Sequence, residues 1–311
     1  MPLIDMSETY QMTNVGDHID GTDVYQSNRN LLDNAYFVGG GSQLGEGKFP
    51  INQREQTSYS GTYWGLDRWH VEGAAVIALA ADGLQFYSTS SSDAAIFTQT
   101  LTTPVFGETV TCSAIINGTL AQVTYNVPQS GAFDLPATVV DGVYINLYCP
   151  LGTWVQFRIY TSNTTPCVIK SAKIESGTVS TLANDGPPDF WAQLEKCQRR
   201  FRRIKAEAPY YIFATVLAEA ASYTVGMIDL PVSMASKPTI STNGSFRLWT
   251  GTGENPVTVS SIGIFDAICQ LTNCSRIGII VSPSANLTAD ARYDLQANND
   301  ANAYIDLSCE I

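Results

Sequence analysis

Val143-Tyr144-Ile145-Asn146-Leu147-Tyr148 and, after five intervening residues, Trp154-Val155-Gln156-Phe157-Arg158-Ile159 place an aliphatic or Phe side chain at every second position and a polar or aromatic one between. A period of two marks a strand that buries one face, because successive side chains leave the pleated backbone on opposite sides. Further runs rich in Val, Ile, Tyr, Phe and Thr lie at residues 74–80, 84–89, 109–116, 120–127 and 167–174, punctuated by Gly, Pro, Asn and Ser. Strand-length runs with turn signals between them and no intervening helical pattern predict an antiparallel sandwich or jelly roll. The pattern resumes after Pro209, at 210–216, 222–230, 245–249, 257–262, 264–269, 277–281 and 303–309, with Pro231 and Pro238 expected to end strands. A second β-sandwich is expected there.

One segment between these regions has a different period. Asp189 follows Gly186-Pro187-Pro188 and reads as an N-cap, and Phe190, Leu194, Cys197, Phe201 and Ile204 then recur at alternating spacings of four and three. This is a heptad seam of about two repeats. Residues 196–205 hold six of the 17 Lys and Arg, a bias that suits the C-terminal half of a helix, and they are expected to form a solvated face or to meet a partner's acidic patch. Residues 1–29 are polar and aperiodic and read as an arm, either a floppy terminus or an extended segment that orders against a partner. The predicted chain is therefore mainly β: arm (1–29), jelly-roll-like sandwich (30–180), linker with a short helix (181–206) and C-terminal sandwich (207–311).

Composition narrows the function classes. The 311 residues carry 29 acidic against 17 basic side chains, a net charge of −12, so nucleic acid and anionic lipid surfaces are poor partners. The N-terminus lacks a basic region followed by an apolar one, so no signal peptide is expected, and no apolar run approaches the roughly 18 residues of a spanning helix. The seven cysteines have neither zinc-ligand nor redox spacing and are expected to be buried thiols.

Catalytic patterns are sparse. The two histidines, His18 and His70, have no partner at ligand spacing, and His70 is read as a strand-edge residue. Gly39-Gly40-Gly41 has no strand before it and no Lys-Ser/Thr after it, so it reads as a loop and not a phosphate cradle. Asp67 and Glu72 around Trp69, and Asp185 and Asp189 near Trp191, are the acids that a two-carboxylate glycosidase could use. Structural readings are preferred: an Asp67–Arg68 ion pair and an Asp189 cap. The oxygen-rich Asp290, Asp294, Asn298, Asn299, Asp300 and Asn302 do not follow the EF-hand pattern and read as solvated turns. No catalytic residue, metal or cofactor is expected. Tyr59, Tyr63 and Trp64 are candidate glycan contacts, since a sugar face stacks on an aromatic ring while neighbouring amides and carboxylates read its hydroxyls.

Several motifs together resemble a module of tailed-bacteriophage and prophage virion proteins. They are Asn30-Leu31-Leu32-Asp33-Asn34-Ala35-Tyr36-Phe37, Asn52-Gln53-Arg54, Asp67-Arg68-Trp69, Ala172-Lys173-Ile174-Glu175 and Leu194-Glu195-Lys196-Cys197-Gln198-Arg199-Arg200-Phe201, with Arg200 where an aromatic is usual. Leu230-Pro231-Val232 and Lys237-Pro238-Thr239 extend the resemblance to about residue 240. It implies a jelly roll like a carbohydrate-binding module in a non-enzymatic virion component made in the host cytoplasm. The component would be a tail fibre or receptor-binding protein, with a head fibre or decoration protein and a surface-polysaccharide depolymerase as the alternatives. It further implies a homotrimer joined along Phe190, Leu194, Cys197, Phe201 and Ile204, an arm docked to other virion subunits, and a host-surface glycan or protein as receptor. The motif residues themselves are read as structural.

Overall fold

The computed structural model describes residues 29–41, 47–251, 256–265 and 272–310; of the expected arm, only Arg29 is among them. The chain is mainly β, with antiparallel sheets and, among the described residues, one α-helix. The first domain contains β1 (Ser58–Ser60), β2 (Tyr63–Trp64), β3 (His70–Gly73), β4 (Ala75–Ala80), β5 (Gly83–Ser88) and β6 (Ala95–Thr100). It continues through β7 (Thr109–Ile116), β8 (Thr119–Asn126), β9 (Phe133–Asp134), β10 (Thr138–Val140), β11 (Val143–Cys149), β12 (Gln156–Thr161) and β13 (Cys167–Ser176). Two sheets face each other. One runs β1-β4-β5-β13-β7-β8, and the other β10-β11-β12-β6-β3-β2 with β9 paired to β11.

Local chemistry sets the register. Asn117-Gly118 alone connects β7 to β8, with φ of 50° and 81°; a two-residue hairpin with both central residues left-handed suits the twist of the flanking strands. Between the sheets the alternating inward residues meet. Trp69 stacks on Phe97 with ring centres 4.4 Å apart, and Phe37, Phe86 and Phe157 pack around them. The Trp69 indole N–H is satisfied by the Asn34 carbonyl at 3.0 Å, so a wholly buried Trp leaves no donor unpaired.

Helix α1 (Phe190–Gln198) is shorter than its heptad pattern predicts. Asp189 caps it, its carboxylate accepting from Ala192 N–H at 2.7 Å. After Arg199 and Arg200 the chain turns into β14 (Phe201–Lys205), so Phe201 and Ile204 lie on a strand and not on a helical seam. Tertiary pairing overrides the period. The Arg199 and Arg200 carbonyls accept from Ala235 and Cys309 N–H at 2.8 and 2.7 Å, and Phe201 pairs with Ser308. The remaining seam residues pack within their own chain: Leu194 and Cys197 are buried with Phe49 and Ile51, and Phe190 meets the Phe49 ring at 5.8 Å. The five residues therefore do not form one continuous helical seam.

The second domain contains β14, β15 (Ile212–Ala220), β16 (Tyr223–Ser236), β17 (Thr239–Asn243), β18 (Phe246–Trp249), β19 (Val257–Ile264), β20 (Thr272–Pro283), β21 (Arg292–Ala297) and β22 (Tyr304–Ser308). The expected antiparallel β domain is present, and six strands, β15-β16-β20-β19-β18-β21, close into a barrel while β14-β22-β17 form a separate sheet. Register shifts in β15, β16 and β19 supply the bends that closure needs. Pro231 does not end a strand; it sits in the register break of β16 between Asp229 and Met234, where no ladder hydrogen bond is lost. Because β14 belongs to this domain, the linker ends before residue 201. No helix among the described residues is long and apolar enough to cross a membrane.

Candidate binding cleft

The outer face of the β10-β11-β12-β6-β3-β2 sheet carries three rows of side chains in register. Trp64, His70, Thr98, Arg158 and Asn146 are successive cross-strand partners; Glu72, Ile96, Tyr160 and Tyr144 form the next row; Thr100, Gln156, Tyr148 and Asp134 form the third. Their sequence neighbours Val71, Phe97, Phe157, Ile159, Ile145 and Leu147 all point into the sandwich core. One alternation thus builds both the core and this face.

At one end of the face lies a cleft of about 410 Å³ lined by Trp64, His70, Glu72, Thr98, Thr100, Trp154 and Gln156. Trp64 comes from edge strand β2 and Trp154 from the segment leading into β12, three strands across. The His70 ring lies edge-on to Trp64 at 5.1 Å, and its Nδ1 is 3.0 Å from Glu72 Oε1, to which the Thr98 hydroxyl also donates at 3.5 Å. The hydrogen bond from His70 holds the Glu72 carboxyl below the usual range against partial desolvation, and the His70 charge, Thr98 and Arg158 add to the effect. Glu72 is therefore a carboxylate at neutral pH, an acceptor for hydroxyl groups and a poor proton donor. Thr98 and Thr100 are buried beneath the other side chains and form a polar floor.

The other end of the face is rigid. Tyr144 and Tyr160 stack with centres 5.1 Å apart and 13° between planes, and the Arg158 guanidinium lies 4.0 Å above Tyr148. Arg158 also pairs with Asp134 at 2.6 Å and donates to Asn146 at 3.1 Å, while Asn146 donates to Asp134 at 2.7 Å. Each of these polar groups is held by its neighbours, which fixes the side chains in one arrangement.

Of the three aromatic residues expected to contact glycan, the structure brings only Trp64 to the cleft. Tyr59 is 1% exposed, lies between the sheets and donates its hydroxyl to Asn52. Tyr63 is the neighbour of Trp64 on β2, so its ring takes the opposite face and packs against the core. Sequence reasoning missed Trp154 and Gln156 as site residues and assigned His70 to a strand edge. The signal was present in the i, i+2 pairs His70/Glu72, on one face of β3, and Trp154/Gln156, at the entry to β12.

The other singled-out acids serve the fold. Asp67 pairs with Arg54 at 3.0 Å and not with Arg68, whose partner is Asp33 at 3.2 Å. Asp185 pairs with the buried Lys173 at 2.7 Å. In the oxygen-rich C-terminal segment, Asp300 accepts from Ser245 and Asn302 N–H, and Asp294 from the Thr215 hydroxyl. No group of three or more His, Cys, Asp or Glu among the described residues is placed to hold a metal.

No protein-family model matches the sequence, and no curated protein matches it. A solved structure with some similarity is the N-terminal CBM22-1–CBM22-2 tandem domain of Paenibacillus barcinonensis Xyn10C. The two share 10% identity over 93% of this chain and 100% of that one, at a TM-score of 0.22.

Proposed function

We propose that this chain is a non-enzymatic glycan-binding protein whose first sandwich takes a neutral sugar between Trp64 and Trp154. The carrying observation is that two indole rings and a polar floor of Thr98, Thr100, Gln156, His70 and Glu72 line one cleft on an outward sheet face. Large aromatic surfaces offer stacking area to a pyranose ring, and fixed acceptors and donors read its hydroxyls. The ionised Glu72 favours a neutral ligand over an acidic one. It is the one carboxylate in the cleft lining, and its lowered proton affinity is the opposite of what a glycosidase general acid needs, which supports binding over hydrolysis.

The finer reading places the protein on a virion as a tail fibre or receptor-binding appendage, with residues 1–29 docked to other virion subunits and the cleft facing a host-surface glycan. It rests on the resemblance carried by Asn30 to Phe37, Asn52-Gln53-Arg54 and Asp67-Arg68-Trp69. Trimerisation in this reading uses the β domains. A glycan array probed with the full chain tests the binding claim: retention of neutral sugars without reducing-end release supports it, and silence across neutral sugars or steady release of reducing ends refutes it.

A further inference from the structure

The basic run at residues 196–205 is not used by the glycan cleft, and the structure divides it. Arg203 pairs with Asp306 at 2.7 Å, and Lys205 pairs with Glu55. Lys196, Arg199 and Arg200 instead converge with Arg29 on a separate pocket of about 250 Å³, where Thr102, Thr103 and Asp33 also line the wall. Four cationic side chains thus face one carboxylate, in a chain whose net charge is −12.

That carboxylate is already engaged on both oxygens. Lys196 lies 3.3 Å from Asp33 Oδ1, and the buried Arg68 guanidinium holds Oδ2 at 3.2 Å. Arg68 also donates to the Thr102 hydroxyl at 3.0 Å, so the Thr102 oxygen is an acceptor inward and its own O–H is free to point outward. Arg200 is half-buried, and among the described residues its guanidinium has no hydrogen-bond or ion-pair partner. Burial, and next the like charge of Arg68, lower its proton affinity, opposed in part by Cys309 and Asp33. A partly desolvated guanidinium repelled by its neighbours is stabilised most by an anion seated among them.

We propose that this pocket binds a phosphate group. The unpartnered Arg200 guanidinium beside Lys196 and Arg29 suits a tetrahedral oxyanion, whose oxygens accept from guanidinium forks and hydroxyl donors together. The pocket shares no residue with the Trp64–Trp154 cleft, so the proposal stands apart from the glycan reading. Free phosphate and phosphate carried on a polymer present the same chemistry.

Calorimetric titration of the full chain with inorganic phosphate at low ionic strength tests it. A saturable single site is expected, weakened about ten-fold or more by Arg200→Gln and by Arg29→Gln, and unchanged by Lys205→Gln, which removes the same charge elsewhere. Arg29 is exposed, so its substitution keeps the test decisive if the Arg200 variant fails to fold. Tighter binding per phosphate of poly(glycerol phosphate) assigns the site to a polymer, and equal binding assigns it to the free ion. No saturable binding, or equal weakening by Lys205→Gln, overturns the proposal. Residues 1–28 hold Asp5, Glu8, Asp17, Asp20 and Asp23 and no Lys or Arg. If phosphate binds only after these five are changed to amides, the pocket belongs to the chain's own carboxylates and the proposal fails.

Discussion

The backbone N–H of Arg68, at the entry to β3, donates to the carboxylate of Glu310 at 2.9 Å, joining the first sandwich to the segment after β22. The same carboxylate meets the Arg54 guanidinium, which also pairs with Asp67 at 3.0 Å and lies 3.7 Å above the Phe201 ring. Gln53 completes the junction by donating to Asp67 at 2.9 Å and to the Phe201 carbonyl at 2.8 Å. Asn52-Gln53-Arg54 and Asp67-Arg68-Trp69 thus join the two β domains through buried polar groups.

Among the described residues, Arg54 is the cation paired with both buried carboxylates, Asp67 and Glu310. Replacing it with Met leaves both uncompensated, so Arg54→Met is expected to lower unfolding stability by about 3–5 kcal/mol in denaturant titration. A loss below about 1 kcal/mol contradicts the central place given to this residue.

Burial, opposed by Arg54 and reinforced by Glu310, pushes Asp67 up to about 7. Its folded-state value lies above the unfolded one of about 4, so the folded chain holds the proton more tightly. The stabilisation from this group is complete below about pH 4 and is lost as pH rises through about 7. Relative to Asp67→Asn, the wild type is expected to lose melting temperature between pH 5 and 8. A constant difference across that window contradicts the assignment.

Leu194 packs on Phe49 and Ile51 of its own chain. Leu194→Ala is expected to cost about 3 kcal/mol in stability and to leave the mass measured by light scattering unchanged. Conversion of an oligomer to monomers with unaltered protomer stability points instead to an intersubunit seam.

Tyr59 and Trp64 are close in sequence and differ in role. Tyr59→Phe removes a buried hydroxyl from Asn52 and is expected to destabilise by about 1–2 kcal/mol without altering sugar binding. Trp64→Ala is expected to do the reverse, weakening binding about ten-fold while the melting curve stays in place.

Local signals in the sequence identify most elements because the physics that sets them is local. Val143 to Tyr148 alternates, Asn117-Gly118 accepts left-handed φ, and Asp189 caps a helix. Long-range choices were not legible. Phe201 and Ile204 fit a helical period and are strand residues because Cys309 and Ser308, a hundred positions away, pair with that segment. Closure of the barrel depends on β15 meeting β21, which no local pattern encodes. The cleft was half legible: an aromatic cluster marked the region, but whether each ring faces in or out depends on strand parity, which separates Trp64 from Tyr63. Trp154 enters the site only through the pairing of β12 with β6.

The most direct test is affinity electrophoresis of the full chain through gels containing neutral polysaccharides, run beside Trp64→Ala and Trp154→Ala. At least one polysaccharide is expected to retard the wild type, and both variants are expected to migrate as they do in a plain gel. A wild type that none of them retards, or variants held back as strongly as the wild type, contradicts glycan binding in the cleft.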